Sequence, residues 1–374
     1  MNIVYVANVR IPTYRAHGIQ ITKMCEEFAR LGNTVTLVVP AKRHTISGTN
    51  DLFEVYGLER IFTCRHIPSL DLLSSTHRFG RIYFWTDFVS FLSGLWNMRK
   101  EIRDSVIYVR DPLLALPFWG RGNTIVAEVH EIPRRKRLYV HLLKLAHYIV
   151  VLTNPGKQDL ISEGVVEDRI IVAADGVDVS QFTPTETKSE ARARLELPLN
   201  QRIVMYIGRL DGWKGVDTLL EASPLLEVGT KLVIIGGEVR EVQELSKRYP
   251  HVHFLGNRPY IELKNNQIAA DVLILPNTAK HITSARHTSP LKLFSYMVSG
   301  VPIVASDLPS LRDIIDESSA EIVTADDVHA LAKGIHNTFK HPERGVARAR
   351  VALERVHAYT WEKRAKKILQ RIVE

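Results

Sequence analysis

The chain has 374 residues, 45% hydrophobic and 24% charged, with 21 Gly and 17 Pro, proportions that suit about two globular domains of roughly 150 to 190 residues. Lys and Arg total 49 against 41 Asp and Glu, a formal +8; residues 1–150 hold 20 basic and 12 acidic side chains and the rest hold 29 of each, so the whole excess lies where a surface would meet phosphates, nucleic acid or anionic lipid. Cys25 and Cys64 offer no CxxC, no Cys/His ligand spacing and no disulfide framework, in keeping with a reducing cytosol.

Ile3 to Ala7 is a continuous apolar run and predicts a strand; the opening has no basic n-region followed by a long apolar h-region, which argues against a cleaved signal peptide. A loop (Asn8 to His17), a helical pattern from Gly18 to Leu31 stopped by Gly32, and a second strand at Thr34 to Val39 complete a βαβ opening. Ile82 to Leu95 is too short for a spanning helix and carries Asp87. Its surrounding aromatics, Tyr83, Phe84, Trp85, Phe88, Phe91 and Trp96, read as core in preference to a membrane anchor. Strands follow at Val106 to Val109, Thr124 to Val129 and Ile149 to Leu152. After a polar, breaker-rich segment, Thr183 to Asn200, the same grammar restarts at Ile203 to Ile207, Lys231 to Ile235, Val252 to Leu255, Val272 to Leu275 and Pro302 to Ala305. The expected fold is α/β, two doubly wound domains with a boundary near residue 184 and a ligand cleft between them at the carboxyl ends of their strands.

Familiar nucleotide fingerprints are missing: Gly208 to Gly215 lacks the GxxxxGK[ST] spacing, no GxGxxG follows the first strand, and His130-Glu131-Ile132-Pro133-Arg134 is no HExxH zinc site. In Tyr206 to Ala222 a strand ends, glycine turns the chain, and Arg209 and Lys214 bracket a tight loop entering a helix, an arrangement that can collect a diphosphate; solvated loop charges are the plain alternative. In Thr288 to Ser306, Ser289 is a good N-cap, Pro290 a good first helical residue and Gly300 a good stop. The first-turn amides near Leu291 and Lys292 would make an anion site, against the alternative of an ordinary capped core helix.

Taken in order, these blocks resemble the retaining, nucleotide-sugar-dependent glycosyltransferases of family 4, which have the GT-B architecture of two facing Rossmann-like domains. The resemblance runs through AHGIQITKMCEEFARLG (Ala16 to Gly32), IYVRDP (Ile107 to Pro112), AEVHEIP (Ala127 to Pro133), VLTNPGKQDL (Val151 to Leu160) and ADGVDVSQF (Ala174 to Phe182). It continues in the Arg209/Lys214 block, SPLKLFSYMVSGVPIVASDLPSLRDII (Ser289 to Ile315) and YTWEKRAKKIL (Tyr359 to Leu369). It implies an acceptor-side domain over 1–184, a donor-binding domain over 185–355 and a terminal helix, 356–374, crossing back to the first. By the same resemblance Arg209 and Lys214 grip the donor diphosphate in place of a metal, His130 stands near the transferred sugar, Gly18 lets the first helix approach the donor, and Gly256, Asn257 and Arg258 border the base. Ser289, Leu291, Lys292 and Ser295 belong to the donor helix. The EX7E glutamates of the family are here His287 and Ser295, a departure that bears on donor affinity and catalysis.

Arg15, His17 and Arg110, with Arg10, fall on predicted strand-end loops on the acceptor side; the basic run Arg134 to Arg137 is either an acceptor contact or a solvated helix start. The activity implied is transfer of a sugar, with retention, from a UDP- or GDP-type donor to a glycan or lipid-linked acceptor in cell-surface polysaccharide assembly. No metal or other cofactor is expected, and the setting is cytoplasmic, with the basic half able to meet an anionic membrane. Nucleic acid is not expected as a partner, since no stacking platform or recognition module accompanies the charge. A non-catalytic GT-B binding protein, or a nucleotide-sugar epimerase, is the alternative.

Overall fold

A computed structural model describes residues 1–13, 15–42, 51–72, 80–132, 137–210 and 212–373. The chain forms two compact units: residues 1–152, 156–173 and 361–374, and residues 153–155 with 174–360. The chain leaves the first unit after Ala173, earlier than residue 184, because Val177 already pairs with Thr360 and Phe182 is buried in the core of the second unit.

The first unit holds seven strands: β1 (Asn2–Val6), β2 (Thr34–Ala41), β3 (Thr63–Pro68), β4 (Val106–Val109), β5 (Thr124–Val129), β6 (Tyr148–Val151) and β7 (Ile170–Val172). All pairs are parallel, in the order β3-β2-β1-β4-β5-β6-β7. The interior strands are buried along nearly their whole length, as a sheet covered on both faces requires. The first helix, Ala16–Arg30, packs against the C-terminal helix, Trp361–Val373. Trp361, Ala365, Ile368 and Leu369 form the buried stripe of that last helix, the spacing of an amphipathic face.

The aromatic stretch is divided, which corrects the core assignment. In the helix Gly80–Met98, Phe88, Phe91, Leu95 and Met98 recur at helical spacing and face inward. Ile82, Phe84, Trp85, Val89 and Trp96 lie off that stripe and are exposed.

The second unit holds β8 (Arg202–Ile207), β9 (Thr230–Ile235), β10 (His253–Gly256), β11 (Val272–Leu275), β12 (Ile303–Ser306) and β13 (Glu321–Val323). They pair in parallel in the order β10-β9-β8-β11-β12-β13. Each unit is thus a Rossmann-like doubly wound sheet. Its strand order reverses beside β1 and β4 in one and beside β8 and β11 in the other, the point at which such sheets take ligands.

Candidate functional site

In the second unit the carboxyl edge is built from backbone close approaches. Beyond Ile207, Gly208 turns the chain with φ 151°, and a Cβ on Gly236 would overlap the Gly208 carbonyl oxygen. Gly212–Lys214 make one 3₁₀ turn, and Gly215 (φ 73°) opens the helix Val216–Ala222. A Cβ at Gly215 would overlap the carbonyl oxygen of Pro276, just past β11, so both φ and space demand glycine there. The loop so pinned carries Arg209 at one end and Lys214 at the other. Lys214 Nζ lies 3.5 Å from the centroid of the Trp213 ring, a cation–π contact.

The helix Leu291–Ser299 is tied to the same edge. The backbone N–H of Ile207 donates to the Tyr296 hydroxyl at 2.9 Å. One turn earlier, Lys292 Nζ sits 4.0 Å from the Tyr206 ring centroid, and the Tyr206 hydroxyl donates to the Arg209 carbonyl at 2.7 Å. Lys292 Nζ is buried with no hydrogen-bond partner among the described residues. Burial, and then the charge of Lys214, pushes its ammonium well below the usual lysine range. The backbone N–H groups of Leu291 and Lys292 precede the first helical acceptor, and the Leu293 N–H is already bonded to Pro290 at 2.9 Å. Arg209, Lys214, Lys292 and two first-turn amides therefore gather at one strand end, a set suited to an oxyanion such as a diphosphate.

Three neighbours are placed differently from the sequence expectation. The N-cap is Pro290, not Ser289, and it makes no side-chain cap. Ser289 is buried with its Oγ accepting the Asp175 N–H at 3.0 Å, so the hydroxyl is engaged away from the helix. Ser295 is 6% exposed, accepts from Gln267 Nε2 at 3.0 Å and donates to the Lys292 carbonyl at 3.0 Å, which turns it into the unit. His287, also buried, ends a π-helical turn, Thr283–His287. Gly256 closes β10 with φ 65° and accepts the Gly236 N–H at 2.8 Å, and Asn257 and Arg258 follow as exposed residues.

In the first unit, Arg110 follows β4 and His130 follows β5, both at the carboxyl edge. Between them lies Glu128, fully buried in β5, which the sequence reading passed over. Its Oε1 takes hydrogen bonds from Gln20 Nε2 (2.6 Å) and His130 Nε2 (2.6 Å) and pairs with Arg364 Nη2 (3.1 Å), while the Tyr108 hydroxyl donates to Oε2. Burial opposes ionisation, but Arg364, followed by the hydrogen bond from His130, holds the carboxyl well below its usual range. His130 is pushed down to about 4, by burial first and Arg110 next, against the pull of Glu128. It is a neutral imidazole at pH 7.

The buried signal was present in the sequence as a lone carboxylate inside an apolar strand, a group that must find a partner. Its partner, Arg364, is more than 200 positions away. Gly18 is buried with its space filled: a Cβ there would overlap the Tyr56 hydroxyl, and Thr13 Cγ2 would be 2.8 Å away. Packing inside the unit accounts for that glycine. Arg15 is exposed and His17 half-buried at the start of the first helix. Arg134 to Lys136 lie outside the described residues; Arg137 opens the helix Arg137–Leu145. Among the described residues, no three His, Cys, Asp or Glu side chains are grouped to hold a metal ion, and no helix is long and apolar enough to cross a membrane.

Residues 201–341 match the family described as glycosyl transferases group 1. The matched segment lies within the second unit and spans β8 to the helix after β13. Over 333 residues the chain is 27% identical to a D-inositol 3-phosphate glycosyltransferase of Corynebacterium urealyticum, an alignment covering 83% of this chain and 72% of that protein. Solved structures resemble the chain over both units. A sucrose-phosphate synthase of Thermosynechococcus elongatus superposes with a TM-score of 0.81 at 18% identity, covering 100% of this chain and 98% of that one. HepE of Anabaena, solved with UDP-glucose, superposes with a TM-score of 0.75 at 16% identity, covering 100% and 99%. At these identities the structural likeness speaks to fold alone, which is that of GT-B glycosyltransferases.

Proposed function

We propose that the chain is a retaining glycosyltransferase of the family 4 type, moving a sugar from a UDP- or GDP-type donor to a glycan or lipid-linked acceptor in cell-surface polysaccharide synthesis. The observation that carries this reading is the gathering of Arg209, Lys214, Lys292 and the Leu291 and Lys292 amides at one strand end, within a segment of group 1 sequence. Cleavage of an anomeric C–O bond leaves an oxocarbenium-like carbon and a diphosphate whose charge grows in the transition state. Fixed cations and amides aimed at that charge stabilise the transition state more than the ground state. In this reading the leaving phosphate takes the acceptor proton on the same face, so no carboxylate base is assigned, and His130 meets the sugar. Gly256, Asn257 and Arg258 border the base, and Arg15, His17 and Arg110 serve the acceptor.

The excess positive charge of residues 1–150 and the exposed face of Ile82, Trp85, Val89 and Trp96 favour a peripheral position on an anionic leaflet. Sedimentation with anionic but not neutral liposomes, weakened by salt, checks this; equal binding to both refutes it.

Ser295, bonded to Gln267, and His287 stand where the family carries glutamates, which favours a second reading, a GT-B protein that binds nucleotide sugar without turning it over. Incubation with a panel of UDP- and GDP-sugars separates the two. Release of nucleoside diphosphate supports the transferase, and a raised melting temperature without release supports the binder.

A further inference from the structure

Four groups reach the Glu128 carboxylate: the amide of Gln20 on the first helix, the hydroxyl of Tyr108 on β4, the imidazole of His130 and the guanidinium of Arg364 on the last helix. Among the described residues, all four groups that reach it can donate, which suits an ionised carboxylate. As a stability device this is poor, since an apolar side chain in a doubly covered parallel strand avoids the desolvation of two charges. As an orienting device it is apt. Residues two apart on a strand project to the same side, so Glu128 places its carboxylate beneath the ring of His130, the first residue beyond the strand.

We propose that Glu128 is a positioning residue for His130: its carboxylate accepts the Nε2–H, fixing ring orientation and tautomer and leaving the Nδ1 lone pair to accept a hydrogen bond from a sugar hydroxyl. The inference rests on the transferase reading of His130 given above. Three observations carry it. The Nε2 contact to Glu128, at 2.6 Å, is the one hydrogen bond His130 makes among the described residues. The carboxylate is sealed while the ring side chain is 26% exposed, so the dyad runs from the interior to the carboxyl edge of the sheet. Among the described residues, the charged groups that act on the ring are Glu128 from β5, Arg110 just past β4 and Arg364 from the last helix. Two cations against one anion disfavour imidazolium, so the ring serves as an acceptor and not as an acid. The last helix thereby takes part in the site, since Arg364 neutralises the carboxylate and also donates to the Ala173 carbonyl at 3.3 Å.

The test uses the full chain with selectively ¹⁵N-labelled histidine. A short hydrogen bond from an imidazole to a carboxylate gives a far-downfield ring N–H proton. We expect one such signal, coupled to nitrogen, that is absent in His130→Asn and absent or shifted upfield in Glu128→Gln. Glu128→Gln keeps the size and one acceptor oxygen but leaves Arg364 without its counter-charge, so we expect a lowered melting temperature and, in the folded variant, a kcat about ten- to a hundredfold lower, as for partners that orient metal-bound histidines, with donor KM within about threefold. If Glu128→Gln folds badly, Glu128→Gln/Arg364→Met, which removes both charges together, takes its place with the same expected kcat loss. No downfield proton in the wild-type chain, or kcat unchanged in a folded Glu128 variant, overturns the proposal. Full turnover by His130→Asn overturns the sugar-side reading and with it the acceptor role, whereas the proton signal decides the Glu128–His130 dyad independently of activity.

Discussion

Replacing Lys292 with Met separates a residue kept for ligand binding from one kept for stability. The Nζ of Lys292 is buried without a hydrogen-bond partner, over the Tyr206 ring and within the field of Lys214. Methionine has nearly the same length and removes an amine that is poorly solvated in the free protein. An apolar side chain of similar length removes the desolvation penalty of a buried polar group that lacks a hydrogen-bond partner, about 1–3 kcal/mol, so the variant should be at least as stable as the parent. A diphosphate would supply the missing acceptor. Losing one charge-assisted hydrogen bond of about 1.5–3 kcal/mol then weakens UDP binding about ten- to 150-fold. The lowered affinity of the free amine for a proton adds a second signature. An anion beside Lys292 raises its pKa, so UDP binding takes up a proton in the window between the lowered free-state value and the ordinary lysine value near 10.5, and affinity falls as pH rises through that window. Urea denaturation of both proteins, and calorimetry in two buffers of different ionisation enthalpy, measure all three quantities. A Lys292→Met variant less stable than the parent, with unchanged UDP affinity and no change in proton uptake, would refute the reasoning.

Arg209→Ala/Lys214→Ala removes two cations from a glycine-pinned loop, and we expect loss of detectable UDP binding with an unchanged circular dichroism spectrum; retained binding places the diphosphate elsewhere. Ser295→Glu must displace Gln267, and we expect a stability loss of about 1–3 kcal/mol for the burial of a carboxylate together with tighter UDP binding; lower stability without tighter binding argues against a ribose contact at that position. Arg364→Met leaves the Glu128 carboxylate short of a partner and should cost about 3–5 kcal/mol at neutral pH. Because the carboxyl is held below its unfolded value, that contribution is present above about pH 4.3 and is lost as pH falls through the folded value, so the gap between parent and variant should close in acid. A gap independent of pH would contradict the ion-pair account.

Interior strands were legible because burial on both faces writes a continuous apolar run, as in Ile203 to Ile207 and Val272 to Leu275. Three were missed: β3, TCRHIP, is a half-exposed edge strand, and β7 and β13 are edge strands of three residues each, where neither length nor hydrophobicity marks the pattern. The loop from Gly208 to Gly215 was readable as a cation-bearing turn, since glycines and charges at fixed offsets are local signals. The burial of Lys292 Nζ was not, because it depends on Tyr206 and the Gly208 turn, far away in the chain. Glu128 was visible as an anomaly, but its meaning required Gln20, Tyr108 and Arg364, which the topology alone brings together. Ser289 illustrates the opposite failure: a sound local rule for helix starts yielded to a tertiary acceptor demand from Asp175.

The central claim is sugar transfer with retention, and the most direct measurement follows the anomeric carbon itself. The full chain is incubated with α-linked UDP- and GDP-sugars labelled with ¹³C at C1 and with a lipid and glycan acceptor fraction, and the one-bond C–H coupling of the product is read by NMR. The account predicts a labelled α-glycoside that disappears in Arg209→Ala/Lys214→Ala. A β-linked product, or labelled donor left intact across the whole panel, would contradict it.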